Sequence, residues 1–189
     1  MRGTSRFILA TLCGLVLAAG VHIMVVLASP YLAEQDAFSK IQSTLTADTA
    51  QIISAPNGEN TWLLFPDPSV AVAACAFDLR DGPMRVSAKT GSLPLSFSFQ
   101  KETGGVFFAV TDRASVRGSL EIVAMTARQL DEARAGEDET GPSQDVRIVS
   151  PERQGFVVVR VAAPVPSLRP QAEAAAKAVT CTTEQDQQG

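Results

Sequence analysis

Asp78, Asp81 and Asp112 are the residues of this 189-residue chain whose type and placement best suit chemistry. Each is expected near a strand end, where paired carboxylates can flank a glycosidic bond as acid and as base or nucleophile. Aspartate is also an ordinary turn residue, because its side chain accepts hydrogen bonds from nearby backbone amides, and that plainer reading weighs more. Arg80-Asp81 and Asp112-Arg113 support a second idea, a polar patch at strand ends that receives a partner or an anionic ligand. Intramolecular salt bridges are the simpler account of the same residues. Nucleophilic catalysis lacks its parts. The one histidine, His22, lies in an apolar run, there is no G-x-S-x-G elbow, and Lys40, Lys89, Lys101 and Lys177 show no S-x-x-K spacing. Phosphate loops and dinucleotide fingerprints are also missing. No catalytic residue is assigned, and no cofactor is expected.

Metal chemistry is poorly supplied. Beyond His22 and Cys13 in the apolar run, the potential soft ligands are Cys75 and Cys181, too few for a zinc site. The acidic stretch 131–140 lacks the spacing of a calcium loop and reads as a solvated helix end. Cys75 and Cys181 are instead expected to form a disulfide if the domain folds in an oxidising compartment, two buried thiols being the alternative.

The compartment is argued from the N-terminus. Phe7 to Leu27 is a stretch of twenty-one uncharged residues, long enough as a helix to cross the roughly 30 Å hydrocarbon core of a bilayer. Arg2 and Arg6 precede it, and no Lys or Arg lies in the flank 28–33, so the N-terminus is expected to stay cytoplasmic. A cleaved signal peptide is the alternative, but its apolar region is usually shorter. His22 inside the span is a functional suspect by position, and a neutral, interface-near residue or a helix–helix contact is the plainer reading. Setting aside Arg2 and Arg6 leaves 14 basic against 20 acidic residues, a net charge of −6 for the exported part. Such a domain has no general basic field for nucleic acid or anionic lipid.

The expected organisation is a cytoplasmic N-terminus (1–6), a transmembrane helix (7–28), a juxtamembrane helix and linker (29–60), a periplasmic domain (61–181) and a polar tail (182–189). Pro30 suits a helix start, with Leu32, Phe38, Ile41 and Leu45 at helical spacing. Residues 61–65 read as a short strand. Asp67-Pro68 reads as a cap and first turn of a short helix over 70–75, passing into residues 76–79. Strands are expected at 84–88 and 119–124. Leu93, Leu95, Phe97 and Phe99 alternate with polar residues and Pro94, and with 106–110 they predict a hairpin turning at Gly104-Gly105. Thr126 is expected to cap a short helix to Ala135, followed by an exposed loop over 136–143. A second hairpin is expected from 145–149 and 156–161, then an Ala-rich helix from Pro170 to Cys181. The predicted fold class is mainly β: an antiparallel β-sandwich with peripheral short helices behind a single transmembrane helix.

The order of motifs resembles the short bacterial inner-membrane-anchored proteins of domain-of-unknown-function family 1254. The carriers of the resemblance are the basic-flanked span with His22, Phe65-Pro66-Asp67-Pro68, and the segment from Cys75 to Val86. Leu95 to Phe99, Val110 to Arg113, Gly155 to Val161 and a late Cys181 complete them. The strand at Leu95 to Phe99 departs from the family in lacking Trp and Tyr. The resemblance implies an inner-membrane location and an envelope partner carrying the related domain of unknown function 1214. It implies no activity.

Three functions are therefore expected to compete. The first is a non-enzymatic, membrane-anchored periplasmic accessory or binding domain. The second is an envelope enzyme whose Asp78, Asp81 and Asp112 converge in one pocket. The third is a small-ligand carrier with an apolar cleft lined by Phe97, Phe99, Phe107 and Phe108.

Overall fold

The computed structural model describes residues 2–32, 37–42, 49–54, 63, 65–140 and 145–184. Backbone contacts divide the chain into two units, Met1–Asp36 and Ala37–Gly189.

The first unit is helix α1, Arg2–Leu32. Its segment Gly3–Ser29, 27 residues, is long and apolar enough to cross a membrane. At 1.5 Å per residue it measures about 40 Å. Leu9, Val16 and Met24 are among its large apolar side chains, all exposed. Thr11 Oγ1 donates to the Phe7 carbonyl at 3.0 Å, so this hydroxyl needs no partner outside the helix. Pro30 does not begin a new helix, because α1 runs on to Leu32. A proline so close to a helix end forfeits one backbone bond where little helix remains to disrupt.

In the second unit a short helix α2 (Ala37–Ile41) buries Phe38 and Ile41, two members of the predicted helical stripe. Leu45, the next member, lies outside the described residues. Two sheets follow. The five-stranded sheet contains β1 (Gln51–Ile52), β2 (Val70–Asp78), β4 (Leu95–Lys101), β5 (Val106–Thr111) and β8 (Gln154–Ala162), in the order β1-β2-β8-β4-β5 and antiparallel throughout. The four-stranded sheet contains β3 (Met84–Lys89), β6 (Ser119–Met125), β7 (Val146–Val149) and β9 (Thr180–Thr183), in the order β7-β6-β3-β9. Its β6–β7 pair is parallel. The inward faces share one core that includes Phe77, Phe97, Phe99, Val86, Ile122 and Val159, each at most 2 % exposed. Burying each such side chain contributes about 1.5–3 kcal/mol. The molecule is therefore mainly β, two packed sheets with peripheral helices and an N-terminal apolar helix.

Several local expectations give way. Residues 70–75 are part of the nine-residue strand β2, not a helix. Asp67 Oδ1 accepts the Ser69 amide at 2.8 Å and its hydroxyl at 2.6 Å, so the expected cap closes a local turn instead. The predicted strand 61–65 lies outside the described residues except at Leu63 and the exposed Phe65. Helix α3 (Ala127–Thr140) extends through the first part of the expected loop 136–143, and 141–144 are outside the described residues.

The segments 145–149 and 156–161 do not form a hairpin, because β7 joins one sheet and β8 the other. Helix α3 carries the chain across from β6, and such a crossover is what a parallel neighbour requires. Helix α4 (Arg169–Lys177) ends before Cys181, which belongs to β9. Its buried Ala172 and Ala176 join the core that holds Ala71 and Ala73 of β2, small residues that allow a close approach. The sheets begin at Gln51 of β1, ten residues before 61 and inside the expected linker 29–60, and end at Thr183 of β9, inside the expected polar tail 182–189. Cys75 on β2 and Cys181 on β9 are bonded, with Cα atoms 6.6 Å apart, and tie one sheet to the other.

Candidate functional site

The outer face of the five-stranded sheet is set by the alternation along β8. Val157, Val159 and Val161 point into the shared core, while Phe156, Val158 and Arg160 take the other face. Phe156 and Val158 form a second apolar cluster with Phe38, Ile41, Ile53, Val72, Ala74 and Ala76. Arg160, in register with Val72 on one side and Ser96 on the other, is exposed.

Two grooves meet at Arg160. The first, about 370 Å³, has apolar walls from Ile41, Ile53, Leu63, Val72, Phe156 and Val158, and its polar members are Lys40, Gln100 and Arg160. The second, also about 370 Å³, runs past Leu95, Ser96, Thr111, Asp112 and Arg113. Arg160 Nη1 donates to Ser98 Oγ at 2.9 Å, and among the described residues Arg160 enters no ion pair. This is a cation between an apolar track and a polar one, suited to holding an anionic or amphipathic partner. Asp112 is the one carboxylate among the described residues that line the two grooves, and Asp78 and Asp81 line neither.

The predicted Asp/Arg patch is split by this geometry. Asp112 and Arg113 lie in the short 3-10 turn Asp112–Ala114 after β5, beside the second groove. Arg80 and Asp81 follow the far end of β2. Val70 pairs with Ala162 and Asp78 with Gln154, so the two pairs sit at opposite ends of a nine-residue strand. That separation is roughly 25 Å at about 3.3 Å per residue.

The same separation disposes of one pocket shared by Asp78, Asp81 and Asp112. Asp78 is in any case committed: Arg80 Nε lies 2.9 Å from both of its oxygens, Arg80 Nη2 also reaches Oδ2, and Gln154 Nε2 donates at 2.8 Å. Above all the Arg80 side chain holds the Asp78 carboxyl below the usual carboxylate range. A carboxyl so held stays ionised and makes a poor general acid.

The phenylalanine-lined cleft is filled. Phe97 and Phe99 are 1 % and 0 % exposed, and Phe99 stacks at an angle on Phe107 and Phe108, with ring centres 6.2 and 5.9 Å away. Phe99 pairs with Phe108 and Gln100 with Val106, leaving Phe107 as the extra residue of a β-bulge. That bulge is what lets both rings reach Phe99.

A third depression lies on the other sheet, around Arg85, and it is internally compensated. Arg85 meets Glu121 at 3.2 Å, Asp145 at 3.4 Å and Glu184 at 2.8 Å, and Arg147 meets Asp145 at 3.5 Å. These pairs knit β3, β6, β7 and the end of β9 together. Arg160 is thus set apart from Arg85 by entering no ion pair among the described residues. Sequence reasoning passed over it, although the signal was present: one charge in Phe-Val-Val-Val-Arg-Val, on the same strand face as Phe156 and Val158.

No family model and no curated protein matches this sequence. Among solved structures, the chain is similar to the VPA0106 protein from Vibrio parahaemolyticus, with 14% identity and a TM-score of 0.48 over 65% of this chain and 30% of that one. It is also similar to an uncharacterized protein from Burkholderia cenocepacia, with 12% identity and a TM-score of 0.46 over 75% of this chain and 36% of that one. The chain spans about a third of the length of these two structures.

Proposed function

We propose that this chain is a non-enzymatic accessory or binding domain of the bacterial envelope, held at the inner membrane by residues 7–28, with its N-terminus cytoplasmic and its folded domain periplasmic. Arg2 and Arg6 ahead of the apolar helix favour that orientation. The Cys75–Cys181 bond favours an oxidising compartment. The partner is another envelope protein, and the resemblance to family 1254 makes one carrying the domain of unknown function 1214 the first candidate. A tether confines the domain to the membrane surface and raises its effective concentration toward neighbours there.

The observation that carries the binding reading is Arg160, an exposed cation in no ion pair among the described residues, placed where two grooves meet. Burying such a charge against a partner's carboxylate forms a new charge-assisted bond without first breaking an old one. The test uses a photo-crosslinking amino acid at Ser96, on the outer face of the five-stranded sheet, or at Ser87, on the other sheet. Cross-links are formed in cells and identified by mass spectrometry. One envelope protein captured from position 96 and not from 87 is the expected result. Capture from neither position, or equally from both, overturns the assignment.

A further inference from the structure

We infer that the apolar groove beside Arg160 takes a single-chain amphiphile with a carboxylate head, a long-chain fatty acid being its simplest form. This rests on the reading of the outer sheet face as the receiving surface and names the chemistry it receives. The groove, about 370 Å³, falls within the usual range for small-molecule sites, roughly 300–1,000 Å³. From Phe156 to Arg160 along β8 it offers a track of about 13 Å at 3.3 Å per residue. Its walls are Ile53, Val72, Phe156 and Val158, and Arg160 lies at one end.

The floor selects hydrocarbon over peptide. β8 is a central strand paired along its length with β2 and β4. β2 pairs in turn with β8 and, around Val72 to Ala74, with β1 and Ile53, so the backbone groups beneath the groove are already engaged. A peptide laid across them would leave its own amides without partners, at an energetic cost. A methylene chain has no amides to satisfy. The head is selected by charge. The chain carries a net charge of −4, so a site centred on an arginine that enters no ion pair among the described residues runs against the general field. Nη1 is engaged with Ser98 Oγ, and the guanidinium is a planar fork that matches a carboxylate better than a point cation does.

The test uses the full chain in nanodiscs of zwitterionic phosphatidylcholine. It compares a diazirine-labelled palmitic acid with the alcohol of the same chain, and the cross-linked residues are mapped by mass spectrometry. The acid is expected to label peptides containing Ile53, Val72, Phe156 or Val158, and the alcohol about tenfold less. Arg160→Gln should reduce acid labelling by about tenfold, since a hydrogen bond to a charged group is lost. Val158→Trp should block labelling by filling the groove. Arg160 is exposed, so Arg160→Gln is expected to fold; an unchanged unfolding midpoint verifies this and keeps the test decisive if Val158→Trp misfolds.

Equal labelling by acid and alcohol overturns the inference, as does labelling confined to residues 3–29. Stronger competition by a lysophospholipid than by palmitate overturns the choice of carboxylate. Loss of amphiphile labelling while the cross-link from position 96 persists overturns this inference alone and leaves the accessory reading standing.

Discussion

Asp78 holds both carboxylate oxygens against Arg80 and Gln154, and this engagement makes it a stabilising group that responds to acid. Its pKa in the folded protein lies below the ordinary value, so the folded state binds fewer protons than the unfolded chain. Its contribution is present above the unfolded pKa near 3.9 and is lost as pH falls through the lower folded value. Urea denaturation from pH 6 down to pH 3 should show Asp78→Asn with a shallower acid limb than the parent. Its loss at neutral pH should be modest, about 1 kcal/mol, because Arg80 is well exposed. An acid limb of unchanged slope would remove Asp78 from the account. Gly155 presents a different constraint in the same neighbourhood. A Cβ there would lie 2.6 Å from Phe77 Cζ and also strike the Gln100 carbonyl oxygen. Gly155→Ala should therefore destabilise by about 1–3 kcal/mol, read from the urea midpoint, since neither a sheet carbonyl nor a buried ring moves freely.

At the level of elements, α3 shows a local signal that held. Thr126 donates its amide to Gln129 Oε1 at 2.8 Å, and Gln129 returns its own amide to Thr126 Oγ1 at 3.3 Å, a reciprocal capping box. Thr126→Ala should lower stability by about 1 kcal/mol, with the earliest loss of amide-exchange protection in α3. Loss spread evenly over both sheets would contradict that local role. β4 was equally legible, because Leu93, Leu95, Phe97 and Phe99 alternate and one face is buried. β2 was not. Val-Ala-Val-Ala-Ala-Cys-Ala-Phe has no polar face, since both faces are buried, and a short apolar run leaves helix and strand undecided. The parallel placement of β7 was hidden for another reason: adjacent apolar segments suggest a hairpin, and only the long-range fit of β7 beside β6 rejects it. The candidate site shared this difficulty. Arg160 is far in sequence from the adjacent Asp112 and Arg113, and they come to line one groove only through the register of β4, β5 and β8.

For the folded domain as a whole, backbone bonds join the two sheets along one side. Thr49 bridges Thr180, and the Ala50 amide donates to the Val179 carbonyl at 2.9 Å, so backbone bonds link the β1 and β9 ends of the two sheets. Cys75–Cys181 crosses the core between β2 and β9, the strands next to that join. The bond closes a loop with a sequence separation of 106, and its chief effect is on the unfolded chain. In the chain-entropy account a loop of that size removes about 4–5 kcal/mol of unfolded-state freedom, a large fraction of the stability typical of a domain. The double variant Cys75→Ala/Cys181→Ala, purified as the full chain in mild detergent, should therefore unfold at a markedly lower urea concentration. Reductant should move the parent in the same direction and leave the variant unchanged. If the double variant and the parent unfold together under both conditions, the bond is incidental to folding, and the backbone join between β1 and β9 suffices to hold that edge closed.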